Sequence, residues 1–260
     1  MNRLTVILGW VVFLLSSCAG EEAFVIDGQV LQADAIQTVV LYEGDRKLDS
    51  VFIDEQGRFK FQRAASHPRL LTLEAGQRKY HFILQNGDRV SFRADLSKPA
   101  DTYEVTGSPL SDKIKQFAAT FAEKERLQVE LEESFADQAA GLDDTAVMAL
   151  RQHFLQTYRE QMSDYTRAAI RFAKEHDDLA GFYAMSTLDT ELAEVELIAY
   201  ADRIAGRWED NARVRRFLEE MARLKVLAVG QPAPGFESLT PNNQPVKLSD
   251  FKGKYTLVDF

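Results

Sequence analysis

Between Phe24 and Val105, apolar residues come in short clusters broken by turn formers. Phe24-Val25-Ile26 and Val30-Leu31 flank Asp27-Gly28, and Thr38 to Tyr42 follows. Val51-Phe52-Ile53 runs through Asp54-Glu55-Gln56-Gly57 into Phe59-Lys60-Phe61, then Leu70 to Leu73. Tyr80 to Leu84 and Val90 to Phe92 are joined through Asn86-Gly87, a hairpin signal, and Tyr103 to Val105 closes the set. About eight short strands in roughly 85 residues predict an antiparallel β-sandwich or open barrel. The aromatic residues alternate as core residues do, and no cluster of side chains marks a ligand.

The period then changes. Leu110, Ile114, Phe117 and Phe121 recur at spacings of three and four, which puts them on one helical face, with Ser111 as a candidate cap. Gly141 breaks this helix and Asp143-Asp144 starts the next. Its stripe runs from Val147 through Leu150, Phe154, Tyr158, Met162, Tyr165 and Ala169 to Phe172 and reads as bundle core. Shorter helical segments are expected near Leu179 to Met185, Glu191 to Ile204 and Val214 to Met221. Arg213, Arg215 and Arg216 lie on the solvated side of the last one.

The final stretch changes again. Pro232 and Pro234 favour an extended entry, and Phe236 to Leu239 starts a short strand. Pro241 to Gln244 is a turn, and Val246 to Leu248 returns. Ser249-Asp250 opens a short helical turn that Gly253 ends. Tyr255 to Phe260 has no alternating polar face and suits a strand covered on both sides. Asp259 interrupts it. A central strand raises the pKa of such a carboxylate and lets it move protons near neutral pH; a solvated strand end makes it an ordinary surface acid.

Composition narrows the chemistry. Hydrophobic content of 45% and charged content of 27% are those of a globular protein, and the formal net charge of −9 argues against nucleic acid as a partner. One cysteine, Cys18, excludes an internal disulfide and a cysteine-rich metal site. His67, His81, His153 and His176 are not at ligand spacing. Phosphate-loop, dinucleotide-fold and nucleophile-elbow motifs do not occur. No cofactor and no metal are expected.

The first residues read as an address. Met1-Asn2-Arg3 is a short positive head, Leu4 to Leu15 is almost wholly apolar, and Ser16-Ser17 precedes Cys18. An apolar core of about 12 residues suits a secretory signal and falls short of a bilayer span. Leu15-Ser16-Ser17-Cys18 resembles the bacterial lipobox. That resemblance implies a signal peptide over residues 1–17 and an acylated tether over 18–22. Lipidation at Cys18 would then anchor the chain to a membrane outside the cytoplasm. Ala19, where Asp favours inner-membrane retention, points to the outer membrane, and Glu21-Glu22 resembles the acidic pair that marks surface export in some lipoproteins.

Two further resemblances follow. I-D-G-Q-V, D-E-Q-G-R-F, L-Q-N-G-D and V-T-G-S resemble the small β domain of unknown function that precedes redoxin domains in many bacterial lipoproteins. G-Q-P-A-P-G-F, the following hairpin, L-S-D-F-K-G-K and L-V-D-F resemble the opening of the redoxin fold, which includes thiol-disulfide oxidoreductases of the TlpA type and the peroxiredoxins. The organisation implied is α+β and multidomain. An antiparallel β-sandwich or open barrel (23–108) is followed by a helical bundle spacer (109–226), then by the first elements of a truncated thioredoxin-like α/β fold (229–260).

By that resemblance Asp259 corresponds to the buried carboxylate that exchanges protons with the deeper cysteine of a Cys-x-x-Cys pair. The pair itself is absent, so this 260-residue form is expected to be inactive and its last segment loosely held. The intact parent would act on protein thiols or disulfides. Two alternatives stand beside it: a peroxiredoxin-like thiol peroxidase, and a non-enzymatic surface lipoprotein whose β-sandwich is a binding module.

Overall fold

Alternating burial builds the first of two compact units, which ends at Asp112. The structure is a computed structural model that describes residues 22–33, 36–228 and 230–258. Strand β1 (Phe24–Leu31) pairs with β4 (Arg58–Arg63) and β7 (Arg89–Asp95), and β7 with β8 (Glu104–Thr106). A second sheet is ordered β3-β2-β5-β6, with β2 at Thr38–Glu43, β3 at Arg46–Phe52, β5 at Arg69–Ala75 and β6 at Arg78–Leu84. On β4 and β7 the alternation is plain: Phe59 and Phe61, then Val90, Phe92 and Ala94, are buried while their neighbours are exposed. Tyr80 and Phe82 of β6 meet Phe92 of β7 edge-on, with ring centroids 5.0 and 5.4 Å apart. The inner faces of the two sheets therefore share one aromatic core, the arrangement of a β-sandwich.

The expectation of a wholly antiparallel set is corrected at one place: β1 and β7 are parallel. The Asn86-Gly87 hairpin is corrected with it, because β6 and β7 lie in different sheets. Asn86 spends its polar groups elsewhere. Its backbone N–H donates to the Ala65 carbonyl (2.7 Å), and its side-chain oxygen accepts from the Ala65 N–H (2.5 Å). With the turn tied to the β4–β5 connection, the chain crosses between sheets, and the rings of β6 and β7 stack across the core.

Two other strand boundaries move. Phe24 to Leu31 is one strand, not two short ones, and Gly28 is why it continues. A Cβ at Gly28 would lie 2.1 Å from the Phe59 ring, so the ring occupies the space a side chain would take. Strand β3 begins at Arg46, earlier than its apolar residues suggest. It is an edge strand with polar positions, which apolar clustering does not detect.

Helix α1 (Pro109–Ala139) starts at the end of the first unit. Ser108, not Ser111, holds the cap position: its carbonyl accepts from Asp112 N–H (3.0 Å) and its hydroxyl from Ser111 N–H (3.3 Å). Pro109 suits the first helical position, where its missing N–H costs nothing. Ser111 closes the edge of β6 instead. Its hydroxyl accepts from Ile83 N–H (3.1 Å) and donates to Ile83 C=O (3.1 Å), and Ser108 donates to the same carbonyl (2.8 Å). The outward backbone groups of a buried edge residue are thereby satisfied by two buried hydroxyls.

The second unit runs from Lys113. Helix α2 (Asp144–Glu175) is capped by Asp143, whose carboxylate accepts from Ala146 N–H (2.9 Å). Helix α3 (Leu179–Met185) is buried at every residue. Helices α4 (Glu194–Ile204) and α5 (Ala212–Leu227) complete the bundle. Phe117 of α1 packs on Tyr165 and Phe172 of α2 and on Tyr183 of α3, and Phe182 packs on Phe217 of α5. The predicted stripe is thus core in its C-terminal half, where Met162, Tyr165 and Ala169 are buried.

Candidate functional site

Three places in the chain are candidates for chemistry. The two site residues singled out by sequence, Cys18 and Asp259, lie outside the described residues. What is described next to Asp259 is the segment from Gly230 to Val258. Strands β9 (Glu237–Leu239) and β10 (Pro245–Lys247) pair antiparallel, Pro245 opposite Leu239 and Lys247 opposite Glu237. A one-turn 3-10 helix, Leu248–Phe251, follows. It is held by Asp250, whose carboxylate accepts from Lys247 N–H (2.9 Å), and Lys247 forms an ion pair with Glu237. Tyr255 to Val258 then has no regular secondary structure and no strand partner. Its side chains face solvent, Tyr255 and Leu257 almost fully, the latter at 95% exposure.

The second place is a cleft of about 740 Å³ at one end of the sandwich, between the residues after β1 and the β3–β4 turn. The turn is built by its own polar groups. Asp54 accepts from Gln56 N–H (2.9 Å), from Arg58 N–H (2.8 Å) and from Arg58 Nε (2.7 Å). These hydrogen bonds, the Arg58 N–H first, hold the Asp54 carboxyl below the usual carboxylate range. Gly57, at φ +72°, lets the turn lie against β1; a Cβ there would sit 1.9 Å from the Val30 carbonyl oxygen. Gln29 donates through Nε2 to the Gln56 carbonyl (2.9 Å) across the cleft. Phe52 lies at its rim and is 79% exposed, an exception to the expectation that the aromatic residues of this region are core. The cleft escaped sequence reading because its amides come from separate loops and share no motif. Phe52 beside the turn was the one available signal.

The third place is an apolar groove of about 200 Å³ on the distal half of α1 and α2, lined by Leu131, Phe135, Phe154, Leu155 and Tyr158. Phe135 and Phe154 meet edge-on at 5.4 Å. Tyr158 donates to Asp189 (3.0 Å), and burial pushes its phenol up to about 12. None of the lining residues supplies a nucleophile or a metal ligand set.

Comparison with known proteins adds a family match. Residues 24–114 match the family described as Domain of unknown function (DUF4369). The match runs from the start of β1 into the first turns of α1, so it takes in the cleft, Ser108 and Ser111. No curated protein matches the chain. Among the described residues, no helix is long and apolar enough to cross a membrane.

Proposed function

We propose that this chain is the N-terminal portion of a membrane-anchored, extracytoplasmic thiol-disulfide oxidoreductase of the TlpA type, active in disulfide reduction or exchange. The observation that carries the reading is the succession after Gly230. A hairpin, a one-turn helix and an apolar run come in the order expected of a thioredoxin-like opening, with the apolar side chains of the run left to solvent. An exposed, unpaired apolar run is a segment that a sheet would take up once neighbouring strands are added. Asp259 would lie in that run and exchange the proton of the second cysteine. Cys18 would carry the acyl chains, and two such chains suffice for stable anchoring. The helices of the second unit would then act as a spacer between the β unit and the redox domain.

The test is the coding sequence after Phe260. Trp followed by Cys-x-x-Cys within a dozen or so codons supports the oxidoreductase, by the spacing of the family it resembles. Thr-x-x-Cys would replace it with a peroxidase. A stop codon with no cysteine beyond would overturn both. The extended chain should reduce insulin disulfides, and its Asp259→Asn variant should do so with an altered pH profile. Globomycin sensitivity and palmitate labelling of a Cys18→Ala variant test the anchor separately.

A further inference from the structure

We propose that the cleft beside the β3–β4 turn is a binding site for a neutral, hydroxyl-rich ligand, a short glycan segment. The inference is independent of the redox reading. Its volume of about 740 Å³ has room for a di- or trisaccharide.

The chemistry of the lining makes the choice. Gln29, Gln32, Gln37 and Gln56 line it with amides, of which Gln29 already donates to the Gln56 carbonyl and Gln56 already accepts from Arg58. A primary amide offers donors and acceptors together, which matches a hydroxyl, itself both donor and acceptor. Of the two carboxylates in the lining, Glu55 is exposed on the turn, and Asp54 is already occupied by Gln56 and by the backbone and side chain of Arg58. It therefore has little left to select a cation. Among the described residues, no lysine, arginine or histidine lines the cleft, so an anionic ligand finds no counter-charge. Among the described residues, the lining holds no serine, cysteine or histidine.

Phe52 supplies the remaining component. It stands at 79% exposure on the edge strand, at the rim of an otherwise amide-rich cleft. An exposed aromatic face gives the C–H face of a sugar ring an apolar surface at the same place where its hydroxyls meet amides. The cleft opens to solvent at that rim, so a longer glycan could continue past the bound rings.

The experiment titrates the full chain, in detergent, with neutral trisaccharides of glucose, galactose, mannose and N-acetylglucosamine units, followed by calorimetry. A neutral tetrapeptide and a glucuronate-containing trisaccharide run beside them. We expect at least one neutral trisaccharide to bind with Kd of roughly 1 mM or tighter. Phe52→Ala and Gln37→Ala should each weaken it at least ~10-fold, as loss of an anchoring contact does. Both side chains are exposed, so the variants should keep the urea midpoint of the parent. Absence of binding by every neutral trisaccharide at about 10 mM, where even weak sites fill, would overturn the proposal. So would unchanged affinity in both variants. Binding of the peptide alone would overturn it in favour of strand addition at the β3 edge.

Discussion

At the scale of single residues, the two serines that serve Ile83 carry the clearest energetic consequence. Both hydroxyls are buried; both donate to the Ile83 carbonyl, and Ser111 also accepts from the Ile83 N–H. Ser111→Ala leaves that N–H unpaired and should cost about 1–3 kcal/mol, whereas Ser108→Ala leaves the carbonyl bonded to Ser111 and should cost about 0.5–2 kcal/mol, the loss of a helix cap. Urea unfolding measures it, and Ser50→Ala on the exposed edge strand should stay within about 0.5 kcal/mol. Tyr165 makes a second prediction. Burial pushes its phenol up to about 12, against an unfolded value near 10. A raised folded pKa means the fold binds the proton more tightly, so this contribution is complete below about pH 10 and is lost as pH rises towards 12. Stability should therefore fall across that window, with Tyr200, shifted the same way, contributing to the fall. Tyr165→Phe should make the fall shallower, as read by urea midpoints at stepped pH.

At the scale of elements, burial separates helices that look alike in sequence. Helix α3 is enclosed on all sides, and Phe182 is fully buried against Phe217. Phe182→Ala should cost about 3–5 kcal/mol. Phe154, in the half-exposed distal part of α2, packs on Phe135 beside an open groove. Phe154→Ala should cost clearly less, because solvent can fill the space. The run Tyr255 to Val258 lies at the other extreme. Ordering each residue costs about 1–2 kcal/mol of backbone entropy, and neither hydrogen-bonded neighbours nor much buried surface offsets it here. Amide exchange at Leu257 and Val258 should run near random-coil rates, while Ile26 and Leu41, inside paired strands, are strongly protected.

At the largest scale, sequence and structure agree on a β-rich first unit followed, among the described residues, by five α-helices. The two units break at Asp112, inside the first turn of α1, a few residues beyond the boundary read from composition. The residues between explain the offset. Ser108 and Ser111 bond to β6, so the opening turn of the helix belongs to the sandwich. Function at this scale is predicted through sulfur: with Cys18 as the only thiol, the chain should show no turnover in insulin reduction. Turnover by it would contradict the requirement for two cysteines.

Periodicity alone determined a good deal. The apolar clusters marked all eight sandwich strands, β3 only at its end, because β pleating repeats every two residues. Asp143 and Gly141 marked the turn between the long helices, and the prolines and Ser249-Asp250 marked the hairpin and turn near the end. These signals are local: the backbone conformation they favour depends on neighbours in the chain. Which strands pair is not local. The parallel β1–β7 contact, the crossing at Asn86 and the cleft between Gln29 and Gln56 join residues far apart in sequence. Only the competition for a shared aromatic core and for buried hydrogen-bond partners decides them, and that competition exists only once the sheets have packed.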